Sequence, residues 1–222
     1  MTATDQSVGR GKAMPCPYRM CRIFNSDWYH KPLRIAQIGT YIIRKGVHYA
    51  APALNTMLAR YPQVEVSFLD TECPVKKAYA DFDVGVRDRV TVVPTDANET
   101  LPSLLKGHHI KLFPTISEGF GVALVEAVAC ELAPITTAAP GPMEIVRDGH
   151  NAVVIPCRDQ IAIEQALGRL ICDRPYLEGL RRNAYETAQS YSWSNLAQQD
   201  LSLYQRAYAL RQSAVAINLG QG

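Results

Sequence analysis

Two glutamates, eight residues apart, bracket the segment of this sequence that is richest in potential chemistry. Glu118 and Glu126 enclose the stretch EGFGVALVE, which carries Gly119 and Gly121 after its first residue. Glycines permit a close approach to the backbone, and the free N–H groups at a helix N-terminus attract anions. A carboxylate in apolar surroundings needs a cation, hydrogen-bond donors or the hydroxyls of a ligand. The segment therefore predicts a binding site for an anionic ligand that carries hydroxyl groups, such as those of a ribose.

Each glutamate also has a structural interpretation. Residues 122–130 are apolar except for Glu126, which predicts a helix buried on all sides. Glu126 could pair with a lysine or arginine of a neighbouring element, or lie on a solvent-exposed stripe of that helix. Glu118 could simply cap the helix and interact favourably with its dipole.

Short apolar runs that alternate with helical patterns surround this segment. Runs of five or more residues, bounded by turn signals, are typical of buried strands. The strand candidates are LRIAQIG, VEVSFLD, RVTVVP, HIKLFPT, APITT and AVVIP. The predicted helices are Val47 to Tyr61, Leu101 to Lys106, Phe120 to Cys130, Met143 to Arg147 and Gln160 to Asp173, followed by two helices within Pro175 to Arg211, the second opening at Ser192.

This alternating order implies a parallel sheet with helices on both faces and right-handed crossovers. The predicted fold class is α/β, a Rossmann-like doubly wound parallel sheet with C-terminal helices. Ligands of such sheets bind at the carboxyl ends of the strands, so the loops after Ile38, Pro94, Thr115 and Thr137 are the places to search. We expect an arm or linker over 1–32, a domain over 33–211 and a tail over 212–222.

Composition excludes several classes of protein. The 222 residues are 47% hydrophobic and 20% charged, as in ordinary globular proteins. Lysine and arginine number 23 against 21 acidic residues, which is too even to predict binding to nucleic acid or to an anionic membrane. No run of eighteen apolar residues and no secretory signal is apparent, so we expect no transmembrane segment and a cytoplasmic protein. The six cysteines lack close CxxC pairing, which favours reduced thiols.

Other motifs for nucleotide or metal binding are absent or too weak to predict a site. A dinucleotide fingerprint GxGxxG would need glycine at position 124, where this chain has Leu124, and no Walker GxxxxGK is present. Asp81 and Asp83 form a DxD pattern, but three-letter patterns are common by chance, and we expect a solvated loop. His108 and His109 are adjacent at the start of a strand, so their side chains must point to opposite faces and cannot easily share one metal ion. Cys16 and Cys21 lack a second pair of ligands nearby. We therefore predict no metal site and no cofactor.

The segment PTISEGFGVALVEAVAC resembles the signature of retaining glycosyltransferases of family 4, which have the GT-B fold. A strand that ends in Gly39, followed by Lys45 and Gly46, is similar to the opening of the family's donor domain. RVTVVPTDANETLPSLL, TTAAPGPMEIVRDGHNAVVIP and the sequence Tyr-Ser-Trp at 191–193 resemble later parts of that domain. The resemblance covers about Leu33 to Arg211 and implies one half of a GT-B fold.

The resemblance also implies roles for individual residues, with a nucleoside diphosphate sugar as substrate. Glu118 would contact hydroxyls of the donor sugar and Glu126 the ribose, while Lys45 would hold the diphosphate. Glu118 and Lys45 would thus carry the catalysis. The remaining donor-binding residues would be Gly39, Arg44, Thr95, Gly119, Phe120, Gly121 and Gly141. Such a transfer passes through an oxocarbenium-like state while negative charge grows on the departing diphosphate, so a lysine and a helix N-terminus suit it.

The chain departs from the family pattern at several positions. Thr40 stands where relatives usually carry an arginine that also binds the diphosphate, and Arg44 could compensate. Pro94 and Pro140 replace usual glycines, and glycines usual after the second strand are missing from 70–74. Glu131 occupies the place of a helix-ending glycine.

The family's complete enzymes also have an N-terminal acceptor domain, for which this sequence shows no counterpart. Three interpretations stay open: a truncated enzyme, a split enzyme whose partner chain supplies the acceptor domain, and a non-catalytic nucleotide-sugar-binding or interaction module. A nucleotide-sugar epimerase is a fourth alternative. The expected location is cytoplasmic, or at a membrane face through a partner.

Overall fold

Six parallel strands form a single sheet in the computed structural model, which describes residues 32–95 and 100–219. The strand order is β3-β2-β1-β4-β5-β6, and every neighbouring pair is parallel. The doubly wound α/β fold that the sequence predicts is therefore confirmed. The strands are β1 (Leu33–Ile38), β2 (Val64–Leu69), β3 (Val90–Val93), β4 (Ile110–Phe113), β5 (Ala133–Thr137) and β6 (Val153–Ile155).

Helices follow the strands and cover both faces of the sheet. Asp159 and Asp173 cap two of them by accepting hydrogen bonds from the N–H groups of Ala162 and Tyr176. Two 3-10 helices occupy Ile43–Lys45 and Val84–Arg89. The α-helices are α1 (Val47–Arg60), α2 (Val75–Tyr79), α3 (Leu101–Leu105), α4 (Val122–Ala129), α5 (Pro140–Ile145), α6 (Gln160–Cys172), α7 (Arg174–Ala188) and α8 (Trp193–Leu219).

Three helices differ from the prediction. The sequence does not predict the short helix α2, since five residues show no clear helical period. Helix α5 begins at Pro140 instead of Met143 because proline fits the first turn, where its missing N–H is not needed. Helix α8 continues to Leu219, past the predicted end at Arg211. The predicted arm lies outside the described residues except for Pro32.

The prediction that α4 is buried on all sides is wrong. Leu124, Ala127 and Val128 are buried, whereas Val122 is 53% exposed and Ala129 is exposed. These three buried residues form one stripe at i, i+3 and i+4 that packs toward β4, β5 and α7. The outer side of α4 is also made of alanine and valine, so the sequence pattern could not distinguish it from the buried stripe.

The direction of chain progression reverses between β1 and β4. From β1 the chain moves outward through β2 to the edge strand β3, then returns to β4 on the other side of β1 and continues to β6. Ile35 and Ala36 of β1 stand beside Ile110 and Lys111 of β4. In doubly wound sheets the loops diverge at such a reversal and leave a crevice for a ligand. The loops after β1 and β4 are therefore where a site is expected.

Both faces of the sheet are buried, as expected for a parallel sheet. On one face, Ile35, Ile110 and Leu112 belong to the largest hydrophobic cluster, which includes residues of α1 and α6. On the other face, Phe113 packs in a second cluster with Leu124 of α4. Within the described ranges, no helix is long and apolar enough to cross a lipid bilayer.

Candidate functional site

The loop after β1 is held in place by two glycines with positive φ. Gly39 has φ 110° and Gly46 has φ 78°, values that favour glycine over residues with a side chain. A Cβ at Gly46 would lie 1.9 Å from the carbonyl oxygen of Pro114, so the loop can approach the end of β4 only because this residue is glycine. Lys45 precedes Gly46 at the end of a 3-10 helix. The close approach of Gly46 to Pro114 thus places Lys45 at the reversal point of the sheet.

The loop after β4 is joined to the loop after β1 by hydrogen bonds. The carbonyl of Arg44 accepts from the N–H of Ile116 at 2.8 Å and from the hydroxyl of Thr115 at 3.2 Å. The guanidinium of Arg44, which is exposed, donates to the carbonyl of Ser117 at 3.3 Å. Arg44 therefore ties the two loops together.

Lys45 and Glu118 form an ion pair at this junction. Nζ of Lys45 donates to Oε2 of Glu118 at 2.6 Å, and the two side chains are only 15% and 14% exposed. The structure thus brings together the two residues that the sequence predicts as catalytic. A ligand that used both groups would have to separate them. In the free protein each side chain neutralises the charge of the other.

A second lysine, absent from the residues that the sequence pattern points to, lies beside this pair. Lys111 of β4 is completely buried, and its Nζ donates to the carbonyl of Ile38 at 3.4 Å. Nζ of Lys111 lies 5.2 Å from the centroid of the Phe113 ring, and Nζ of Lys45 lies 5.5 Å from the same centroid. The only signal in the sequence is a lysine inside the apolar strand IKLF.

Lys111 has an unusual electrostatic environment. Burial lowers the pKa of its ammonium group well below the usual value, and the charge of Lys45 lowers it further. The carboxylates of Glu126 and Glu118 act in the opposite direction. The ammonium group forms no ion pair within the part of the chain that the structure describes. Burial and the charge of Lys45 therefore shift the equilibrium of this group toward the uncharged amine.

Glu126 extends from α4 near the same cluster and is half-buried. Its charge raises the pKa of both Lys111 and Cys130. Among residues 32–95 and 100–219 it has no hydrogen-bond or ion-pair partner, so the alternative of a lysine or arginine partner is not realised there. This carboxylate remains available to a ligand.

The N-terminus of α4 offers backbone donors beside Glu118. Gly121 adopts φ 101° as the residue before the helix, and the N–H groups of Gly119, Phe120 and Gly121 donate to no backbone carbonyl of the described residues. A Cβ at Gly141 would lie 2.4 Å from the carbonyl oxygen of Gly119, so the first turn of α5 packs directly against this loop. Gly141 thus supports the loop that presents the donors.

Other predicted residues lie at the margin of the cluster or away from it. Thr95 is exposed after β3, the edge strand, with β2 and β1 between it and β4, so the structure does not bring it to the Lys45–Glu118 pair. Thr40 donates to Oε2 of Glu72 at 3.0 Å. The ring of Phe120 is partly exposed and lies 5.8 Å from that of Tyr191.

The structure offers no metal site in the residues it describes, since no group of three His, Cys, Asp or Glu side chains is placed to hold an ion. Asp81 accepts from the hydroxyl of Tyr41 at 2.8 Å, and Phe82 is buried, so the segment 81–83 is partly anchored rather than a fully solvated loop. His108 bonds Ser67, whereas His109 accepts from the N–H of Arg34. Burial, followed by Arg181 and Arg174, lowers the pKa of His109 to about 4.

A separate cleft of about 470 Å³ lies between α5 and the end of α7. Its lining includes Arg147, His150, Asn151 and Tyr191 but none of the charged residues of the Lys45 cluster. Asn151 is buried and fully engaged, since it bonds the backbone of Arg147 and the hydroxyl of Thr187. The cleft borders the candidate site, since Tyr191 contacts Phe120 and Ile145 lies close to Gly121.

Comparison with known families settles the class of this protein. Residues 22–187 match the family model described as glycosyl transferases group 1. The chain belongs to this family. The match spans β1 to α7, so both loops that carry Lys45 and Glu118 lie within the glycosyl transferases group 1 region.

Curated relatives are longer proteins. A D-inositol 3-phosphate glycosyltransferase of Mycobacteroides abscessus is 34% identical over 128 residues, which are 57% of this chain and 28% of the relative. An uncharacterized glycosyltransferase of Methanocaldococcus jannaschii is 24% identical over 179 residues, or 77% of this chain and 44% of the relative. The chain therefore spans less than half the length of these relatives.

Solved structures share the fold. Sucrose-phosphate synthase of Thermosynechococcus elongatus matches with a TM-score of 0.70 and 23% identity, over 82% of this chain and 47% of that one. An Anabaena protein crystallised with UDP-glucose matches with a TM-score of 0.68 and 20% identity, over 80% and 50%. The C-terminal domain of a glycosyl transferase group 1 protein of Francisella tularensis matches with a TM-score of 0.61 and 23% identity, over 72% and 87%.

Proposed function

We propose that this chain binds a nucleoside diphosphate sugar and supplies the donor half of a retaining glycosyl transfer to a hydroxyl acceptor. The observation that carries the proposal is the Lys45–Glu118 ion pair at the reversal point of the sheet. Membership of the glycosyl transferases group 1 family supports a sugar donor, and an Anabaena structural neighbour was crystallised with UDP-glucose.

Four groups of the site suit the three parts of such a donor. The ammonium of Lys45 and the N–H groups at the start of α4 suit the diphosphate, since both carry positive charge or partial charge. The unpaired carboxylate of Glu126 suits ribose hydroxyls. Glu118, once released from Lys45, can accept hydrogen bonds from hydroxyls of the sugar.

The same groups can assist the reaction. Cleavage of the bond between the anomeric carbon and the diphosphate leaves negative charge on the departing phosphate oxygens. Lys45 and the N–H groups of Gly119 to Gly121 would stabilise that charge in the transition state, without a metal ion. In the proposal, transfer by a family 4 mechanism takes place where an acceptor domain or partner chain closes over this site, in the cytoplasm or at a membrane face.

A non-catalytic module that binds nucleotide sugars is the second candidate. It is favoured by Thr40, whose hydroxyl is engaged with Glu72 at a position where an arginine would add a second cation for the diphosphate. Binding would then be retained while stabilisation of the leaving group was reduced. Donor hydrolysis or transfer at a measurable rate, in the presence of acceptor-domain partners, would exclude this candidate.

Binding to Lys45 can be tested by calorimetric titration with UDP-glucose, GDP-mannose and the corresponding diphosphates. Loss of a charge-assisted hydrogen bond costs about 1.5–3 kcal/mol, so Lys45→Met should weaken binding roughly 10- to 100-fold. Lys77→Met is the matched control, because Lys77 is exposed on α2. If the folded protein binds none of these compounds, the proposed function is wrong.

A further inference from the structure

Lys111 is the most deeply buried lysine or arginine of the described residues. Its side chain is fully buried, and a single carbonyl, that of Ile38 at 3.4 Å, accepts a hydrogen bond from its three-donor ammonium group. A buried ammonium is costly unless it is paired and hydrogen-bonded. The buried side chain must therefore be a neutral amine or lie against a negative charge. In the free protein no carboxylate of the described residues forms an ion pair with it.

The charges that face Lys111 come from three elements. Lys45 approaches from the loop after β1, Glu118 from the loop before α4, and Glu126 from α4 itself. On the neighbouring strands, Ala36 of β1 and Pro134 of β5 stand beside it and carry no charge. The charge of Glu118 is already engaged by Lys45 at 2.6 Å. In the free protein burial, followed by the charge of Lys45, holds the pKa of Lys111 well below its usual value, while Glu126 and Glu118 act in the opposite direction.

A bound diphosphate would change this balance. It would lie against Lys45, whose ammonium stands over the same Phe113 ring as that of Lys111. Its negative charges would offset the repulsion from Lys45 and would act on Lys111 through an interior where charges are weakly screened. The protonated amine would then be favoured.

We propose that Lys111 is a positioning residue that takes up a proton when the donor diphosphate binds, so that donor binding is coupled to protonation of a buried amine. The proton comes from solvent and stays on Nζ, and no bond forms between the amine and the donor. Protonation adds a second positive charge to the field that holds the diphosphate. The inference rests on the proposed function, because it requires a diphosphate at Lys45.

Proton uptake can be counted by titrating the protein with UDP-glucose in buffers of different ionisation enthalpy. UDP-glucose is the appropriate probe because its diphosphate lacks the terminal phosphate ionisation near pH ~6. The wild-type protein should take up close to one proton per bound ligand over part of the range from about pH 6 to pH 10. In that part of the range its affinity should fall by up to about tenfold per pH unit, because uptake becomes less favourable as protons become scarce.

Lys111→Met should abolish the proton uptake and flatten the pH profile, whereas Lys77→Met should behave as the wild type. Methionine fills a similar volume without a titratable group, so the variant is expected to fold. Binding of UDP-glucose without proton uptake, or uptake that persists in Lys111→Met, would overturn the inference and leave the proposed function standing. Absence of binding to UDP-glucose and every other nucleotide tested would overturn both.

Discussion

Two lysines over one aromatic ring show how differently the same residue can be accommodated. Lys45, in the loop after β1, forms a 2.6 Å ion pair with Glu118 and retains 15% exposure. Lys111, in the middle strand β4, is fully buried and donates only to a backbone carbonyl among the described residues. The difference arises from position. A loop at the carboxyl ends of the strands can bring a carboxylate to its lysine, whereas a strand between two helical layers cannot.

The comparison suggests that the two lysines contribute at different stages. In the proposed function, Lys45 exchanges one anion, the carboxylate of Glu118, for another, the phosphate of a ligand. Lys111 has no paired anion to exchange among the described residues and can respond only by changing its protonation state. Loop geometry should therefore control the first residue, and pH the second.

Gly46→Ala should have the largest effect, since it disturbs the loop that places Lys45. The new Cβ would lie 1.9 Å from the carbonyl oxygen of Pro114, and φ 78° is unfavourable for alanine. We expect a loss of at least about 3 kcal/mol in the free energy of unfolding, measured by urea denaturation.

Gly179→Ala is the control for Gly46→Ala. Gly179 lies within α7, and an added methyl group there would meet nothing within 4 Å, so alanine should raise stability by about 0.5–1 kcal/mol. Equal denaturation midpoints for Gly46→Ala and the wild type would show that the loop does not depend on the approach to Pro114.

Lys111→Met should have the next largest effect, and in the opposite direction. Replacing a buried, poorly paired amine by an apolar side chain should raise the free energy of unfolding by about 1–3 kcal/mol near neutral pH. Lys45→Met removes one partner of a largely buried ion pair and leaves the carboxylate of Glu118 unpaired, so it should lower the free energy of unfolding by about 1–3 kcal/mol. If Lys111→Met destabilises the protein by several kcal/mol instead, its amine is well satisfied and the contrast between the two lysines fails.

The stability of the protein should depend on pH through Lys111. The pKa of Lys111 is lower in the folded protein than in the unfolded chain, so between these two values the unfolded chain binds more protons. Stability from this residue must therefore rise with pH until the unfolded value near ~10.4 is reached. The wild type should show this rise in urea denaturation over alkaline pH, and Lys111→Met should lack it.

The sequence predicts the fold more completely than the site. All six strands are recognisable from short apolar runs, and most of the helices from their period or their caps. Lys45 and Glu118 are recognisable through glycine spacing and a family resemblance, and the structure places them in contact. Lys111 escapes notice because a single lysine in IKLF belongs to no recognisable motif. The sequence predicts helices on both faces of the sheet, but only the packing shows that this side chain is completely buried.

Similar reasons explain the other differences. The exposure of Val122 could not be anticipated, since both sides of α4 are apolar and only the packing of α7 selects one. Thr95, which the family resemblance implies as a donor-binding residue, follows β3, whereas Gly39 follows β1, and its role in donor binding stays a prediction. The strand order, which depends on long-range pairing, places β3 at the edge of the sheet. Local patterns carry no information about that order.

Glu126→Gln should have the smallest effect, and it tests whether the two carboxylates differ as the two lysines do. Glu118 is paired, whereas Glu126 has no partner in the described residues, so only Glu126 should bind a ligand hydroxyl without first losing an ion pair. Loss of one such hydrogen bond costs about 0.5–1.5 kcal/mol, which predicts roughly 2- to 10-fold weaker binding of UDP-glucose by calorimetry. Glu186→Gln, at an exposed position of α7, should leave the affinity unchanged.

The charge of Glu126 also raises the pKa of Lys111, so its removal should move the pH range of proton uptake downward. The same buffer series that counts protons in the wild type measures this shift in Glu126→Gln. An unchanged affinity and an unchanged pH profile would assign Glu126 a purely structural role on α4 and leave Lys111 to respond to the diphosphate alone.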